Sequence, residues 1–255
     1  MNWVNRKMKN LKLNQKRYKG FTLIELLVVV VIIVVLMGML IPAVMRAKVR
    51  ARIATARADM SNIKGAILSY QTDYSRFPIP RGLSPNPEGG DITFGGAVTS
   101  NRPNYGVMRI LCSFDDSIPP THPRWLGPPL TINGNFSRNP KKNRYLEASS
   151  DKDPGDPGLD PIYNFNDPWR QQYTITMDMD GDGDCSDEQY RKPLMNAGVV
   201  IGLRKLTPPG GTSPADDEHV LMGSVMIYSR GPDQKASNAF PALEGVNADN
   251  ILDWR

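Results

Sequence analysis

The sequence predicts an α+β protein with the outline of a lollipop. A long N-terminal helix, half membrane-type and half amphipathic, packs on a small antiparallel β-sheet head that carries a loop-rich insertion. Three observations predict it. Residues 21–45 are an apolar run with one charge, Glu25. Residues 49–74 carry an apolar stripe of helical period, and the C-terminal third alternates apolar and polar residues in short segments. The expected segments are a basic leader (1–20), an apolar helix (21–45), its amphipathic continuation (46–80), an insertion rich in proline and glycine (81–160), and a sheet head with an acidic loop (161–255).

The run from Phe21 to Met45 reads FTLIELLVVVVIIVVLMGMLIPAVM. About 20 apolar residues suffice to cross a bilayer as a helix. A core helix of a soluble protein would keep a polar face. A secretory signal would be shorter and followed by a small-residue cleavage site, so the segment reads as a retained spanning helix. Two readings of Glu25 stand together: a functional intramembrane carboxyl, and one hydrated near the membrane face. Pro42 predicts a kink or local melting.

Past the membrane, Val49, Ile53, Ala56, Met60, Ile63, Ile67, Tyr70 and Tyr74 recur at spacings of three and four. This stripe suits packing against a head better than a coiled-coil seam. The helix is expected to end within Asp73-Tyr74-Ser75-Arg76-Phe77-Pro78, because the residue before a proline is pushed toward extended backbone.

Charge is unevenly placed. Seven of the 31 basic residues (Arg6, Lys7, Lys9, Lys12, Lys16, Arg17, Lys19) stand in the first twenty, with no acid among them, so residues 21–255 hold 24 basic against 26 acidic. The net charge of +5 is a property of the leader, and no nucleic-acid partner is expected. Arg46, Lys48, Arg50, Arg52 and Arg57 lie beside the membrane and suit lipid headgroups. Seven cations before the run against these five after it favour a cytoplasmic N-terminus by a small margin. Fifteen of the 22 prolines fall between Pro78 and Pro168, which makes the middle of the chain loop-rich.

The junction Lys19-Gly20-Phe21-Thr22-Leu23-Ile24-Glu25-Leu26-Leu27-Val28, following a basic leader, resembles the signal of type IV prepilins and type II secretion pseudopilins. The resemblance implies a type IV pilin-like fold, cleavage after Gly20 by a prepilin peptidase, N-methylation of Phe21, and pairing of Glu25 with the α-amino group of a neighbouring subunit. A buried carboxylate needs such a partner. The helix exit ending Phe77-Pro78 resembles that of the major pseudopilin. Asn166-Asp167-Pro168-Trp169-Arg170-Gln171-Gln172-Tyr173 resembles its D-P-W-G-x-x-Y strand start, with Arg170 in place of the glycine. Ser229-Arg230-Gly231-Pro232-Asp233-Gln234 resembles its closing turn. The region from Arg81 to about Leu159 has no counterpart of that length in the compact members.

Strands are expected at Tyr173–Asp178, with Tyr173, Ile175 and Met177 inward, at Val220–Ser229, and at Ala197–Leu203. Between the first and last of these in chain order lies Asp178-Met179-Asp180-Gly181-Asp182-Gly183-Asp184-Cys185-Ser186-Asp187-Glu188. Aspartates alternating with glycines suit Ca²⁺, which takes six to eight oxygens from a flexible loop. Gln189 stands where an EF-hand carries its bidentate acid, and a solvated acidic hairpin is the competing reading. Mutual repulsion among so many acids favours the cation, with Asp178, Asp180, Asp182, Asp184, Asp187 and Asp233 as candidate ligands. The pseudopilin resemblance also implies a structural calcium in the C-terminal loop region.

Cys112 and Cys185 can pair in an oxidising compartment or remain thiols; both readings stand. His122 and His219 lack metal-ligand spacing, and no nucleophile elbow, phosphate loop or dinucleotide fingerprint occurs, so no enzyme is expected. The expected function is a structural subunit of a type II secretion pseudopilus in the inner membrane, with a periplasmic head. Its expected partners are copies of itself, other pseudopilins, prepilin peptidase and the assembly platform. A type IV pilin or adhesin-like minor pilin whose insertion binds an external ligand is the alternative.

Overall fold

The computed structural model describes residues 20–81, 83, 90–95, 102–115, 132–148, 152–191, 202–207, 217–237, 240 and 243–255. The chain divides into residues 1–48 and 49–255. Helix α1, Leu23–Tyr74, contributes to both and runs without interruption through Pro42. In the first unit every described residue is exposed, and the helix is long and apolar enough to cross a membrane.

In the second unit the predicted stripe is the helix's buried face. Ala56, Met60, Ile63, Ile67 and Tyr70 are fully buried, Ile53 and Tyr74 partly so, and Val49 is exposed. Burying a large apolar side chain contributes about 1.5–3 kcal/mol, so this face anchors the helix to the sheet. The helix stops where Ser75 turns to φ +50, and Phe77 and Ile79 then bury against the same core.

The main sheet is antiparallel with strand order β1-β4-β8-β9: β1 (Ile92–Phe94), β4 (Thr174–Met177), β8 (Val225–Ser229) and β9 (Ile251–Leu252). Ile175 of β4 lies opposite Ile227 of β8, and Thr176 lies opposite Thr93 of β1. One face, carrying Ile92, Phe94, Ile175, Met177, Val225 and Ile227, packs with the α1 stripe. The other face is also covered. Met226, Tyr228 and Leu252 form a second cluster with Cys185, Tyr190 and Leu221, which belong to or flank a smaller sheet of order β5-β7-β6: β5 (Asp184–Cys185), β7 (Glu218–Met222) and β6 (Leu203–Leu206). A short pair, β2 (Gly158–Leu159) with β3 (Phe165–Asn166), completes the strands among the described residues.

Three expectations change. The strand at 174–177 is buried on both faces, because the small sheet covers the side that sequence alternation assigned to solvent. The single strand expected at Val220–Ser229 is two strands in different sheets, broken at Gly223-Ser224. Gly223 adopts φ +142, a conformation that side-chain-bearing residues avoid. Most of Ala197–Leu203 lies outside the described residues, and the strand there begins at Leu203 and pairs with β7 rather than the main sheet.

The proline-rich middle contributes core rather than hanging off it. Residues 92–94 form an edge strand, and α2 (Tyr105–Leu111) buries Val107, Met108, Ile110 and Leu111. Arg170, at the position of the resembled motif's glycine, holds φ +73, the left-handed conformation glycine adopts most readily. Its guanidinium bridges to Asp156 at 2.8 Å.

Candidate functional site

Among the described residues, two places carry chemistry. The first is the start of α1. Gly20 and Phe21 are exposed, immediately ahead of the helix, while the leader up to Lys19 lies outside the described residues. Thr22 and Glu25 form a reciprocal cap. The Thr22 backbone N–H and Oγ1 each donate to Glu25 Oε2 at 2.8 Å, and the Glu25 N–H donates to Thr22 Oγ1 at 3.3 Å. The sequence signature for this is Thr-x-x-Glu at a helix start, which neither the intramembrane nor the hydrated reading of Glu25 used. The carboxylate therefore folds back over the first turn, where the free amide hydrogens of a helix favour negative charge.

The second place is the turn from β4 to β5. Asp178 Oδ1 accepts from Gly181 N–H at 2.7 Å and its Oδ2 from Gly183 N–H at 3.1 Å. Asp180 accepts from Asp182 N–H at 3.3 Å, and Asp182 from Asp184 N–H at 2.8 Å. Each aspartate thus holds the backbone of a following residue, which is why aspartate and glycine alternate here.

The carboxylates of Asp91, Asp178 and Asp180 converge, with one oxygen from each lying within 4.8 Å of the others. Asp91, placed by the chain entering β1, accepts from Met179 N–H at 3.0 Å and Ser186 N–H at 2.5 Å. Burial pushes its carboxyl up to about 7, and the neighbouring Asp180 and Asp178 charges add to the shift. Burial likewise raises Asp178. Gly90 packs so closely on Asp180 that a Cβ there would overlap its carboxylate. Three converging carboxylates, two of them buried, suit a hard divalent cation such as Ca²⁺.

Of the six aspartates expected as ligands, the structure brings together Asp178 and Asp180 and adds Asp91, which is 87 residues away in sequence from Asp178 and had no local signal. Asp182 is exposed and Asp184 pairs with Arg204. Asp187 is fully enclosed, taking hydrogen bonds from Thr176 Oγ1 (2.8 Å), Gln189 N–H (2.8 Å) and Tyr190 N–H (3.1 Å). Asp233 sits in the turn after β8, accepting from Lys235 N–H, while its own N–H donates to Asp249 at 3.0 Å.

Cys112 and Cys185 are free, buried thiols in different apolar clusters, so the considered pairing is not formed. Burial pushes Cys112 up to about 12. His219 lies in β7, and His122 lies outside the described residues.

Residues 15–41 match the family described as the prokaryotic N-terminal methylation motif. With a long apolar helix followed by an antiparallel sheet unit, this makes the chain type IV prepilin-like in its N-terminal segment and α+β in fold. The chain is also similar to the type II secretion system core protein G of Pseudomonas aeruginosa (strain PAO1), at 35% identity over 66 residues, 26% of this chain and 46% of that protein. It thus spans about half the length of that curated relative. No solved structure matches the chain.

Proposed function

We propose that the chain is a structural pseudopilin of a type II secretion system, without catalytic activity of its own. Prepilin peptidase cleaves after Gly20 and methylates Phe21. The N-terminus is cytoplasmic and the unit from Val49 onward is periplasmic. The subunit waits in the inner membrane and joins copies of itself and other pseudopilins on an inner-membrane assembly platform to drive export. One observation carries this reading: the methylation motif opens a helix whose apolar residues are all exposed up to Lys48. Lipid and then neighbouring helices provide the cover that so much apolar surface requires.

Glu25 supplies the carboxylate for the neighbour's new amino terminus, moving from its cap on Thr22 to the stronger cationic partner. In the same reading Asp91, Asp178 and Asp180 hold a structural Ca²⁺ that ties β1 to the acidic loop. The test is the mature protein. Mass spectrometry of chain purified from a host with prepilin peptidase should give an N-methylated Phe21 terminus, and Glu25→Ala should abolish filaments at unchanged membrane levels. A mature chain beginning elsewhere would sink the proposal.

A further inference from the structure

We infer that a cavity beside the C-terminal half of α1 is a carboxylate socket in which one copy of the chain takes up the acidic loop of another. This rests on the filament reading above. The cavity holds about 180 Å³, with Met60 and Leu252 as its apolar floor. At about 30 Å³ per water it has room on the order of six waters, enough for a side-chain carboxylate. Its polar wall is Arg57, Ser61 and Lys64 of α1 with Asp253 and Arg255 of the chain leaving β9.

The charges in that wall do not balance. Asp253 is already engaged, taking Lys64 Nζ at 2.6 Å on Oδ2 and the Ile227 N–H at 3.0 Å on Oδ1. Arg57 and Arg255 are exposed and have no acidic partner among the described residues. Three side-chain cations thus face one consumed side-chain anion. Arg50, Arg57 and Lys64 recur every seven residues, two helical turns, so they project from one side of α1 and extend the positive surface along it. Guanidinium groups above an apolar floor favour a carboxylate, which they grip with paired N–H donors.

The complementary surface is on the same chain. In the β4–β5 loop Asp184 is taken by Arg204, and Asp178 and Asp180 converge with Asp91, but Asp182 is exposed with no cation beside it among the described residues. Socket and acid are different parts of one molecule and do not pair within it. A contact between them in two copies is therefore heterologous, and contacts of that kind propagate into open helical filaments where the rotation does not close a ring.

Charge exchange in the full-length chain tests this. Arg57→Glu and Asp182→Arg should each lower the yield of sheared filaments at least tenfold at unchanged membrane levels, and Arg57→Glu with Asp182→Arg should restore it. Single variants that assemble normally, or a double variant that is not rescued, overturn the inference while leaving the pseudopilin reading intact. Failure of the unmodified chain to form filaments in a host with the secretion machinery overturns both. Anionic lipid is the rival occupant. In nanodiscs carrying one chain each, thiol labelling of Ser61→Cys should be equally fast in phosphatidylglycerol and phosphatidylcholine. Protection by phosphatidylglycerol alone assigns the cavity to headgroups and rejects the socket.

Discussion

Replacing Asp187 with asparagine should leave stability nearly unchanged at pH 4 and raise it at pH 7. The Asp187 carboxyl is enclosed between the two sheets, and burial pushes it from 3.8 up to about 6 despite hydrogen bonds from Thr176, Gln189 and Tyr190. A rise from 3.8 to about 6 corresponds to about 3 kcal/mol. Near pH 4 the folded group is protonated and the unfolded one only partly ionised, so the penalty is still small. From pH 4 to 6 the unfolded chain releases the proton while the folded one retains it, so stability falls as pH rises, and above 6 the full amount is lost. Asparagine keeps the contacts. Its Oδ1 can accept from Gln189 and Tyr190, and its amide can donate to Thr176, whose hydroxyl then turns to Thr93 at 3.0 Å. Guanidinium unfolding of the detergent-solubilised chain in chelator, at four pH values from 4 to 7, measures the difference between the two proteins. The other raised carboxyls are common to both and cancel. The asparagine form should be more stable by up to about 3 kcal/mol at pH 7. Parallel pH curves refute the reasoning. A variant that is less stable at pH 7 and has lost its calcium response would restore Asp187 as a ligand.

Three further outcomes are expected. Ile63→Ala empties a fully buried position between α1 and the sheet and should cost about 2–5 kcal/mol in chemical unfolding; less than 1 kcal/mol would mean that the helix does not pack there. Calcium at a hundredfold its Kd should stabilise chelator-treated protein by about 2.7 kcal/mol, and Asp91→Asn or Asp178→Asn should abolish that gain while Asp233→Asn preserves it; the opposite pattern moves the ion to the later turn. Gly231→Ala should cost more than the roughly 1–2 kcal/mol of a left-handed alanine, because at φ +67 its Cβ would overlap the Asp249 carbonyl, whereas Gly155→Ala, left-handed but with open space, should cost only that amount; equal losses at the two sites refute the close approach.

The α1 stripe was legible because helical period is a local property: Ala56, Met60, Ile63, Ile67 and Tyr70 had to share a face whatever that face met. The strand at Thr174–Met177 was legible for the same reason, but its burial was not. Thr174 and Thr176 are fully buried because a second sheet covers them, and a threonine reads equally well as solvent-facing. The break at Gly223 was a signal passed over, since the apolar residues on both sides look continuous. In the acidic loop, Asp178 and Asp180 were found from spacing. Asp91 stands alone between Gly90 and Ile92, and only the pairing of β1 with β4 carries it to the loop.

Taken alone, the sequence determined the elements whose cause is short-range: the apolar run and its junction at Gly20-Phe21, the helix that continues to Tyr74, and a loop of aspartates holding its own backbone. Tertiary structure alone decided which acids converge, that both faces of the main sheet are covered, and which arginines are left without a counter-charge. Those outcomes depend on strand pairing across tens of residues. A carboxylate or guanidinium looks the same in sequence whether the fold gives it a partner or not.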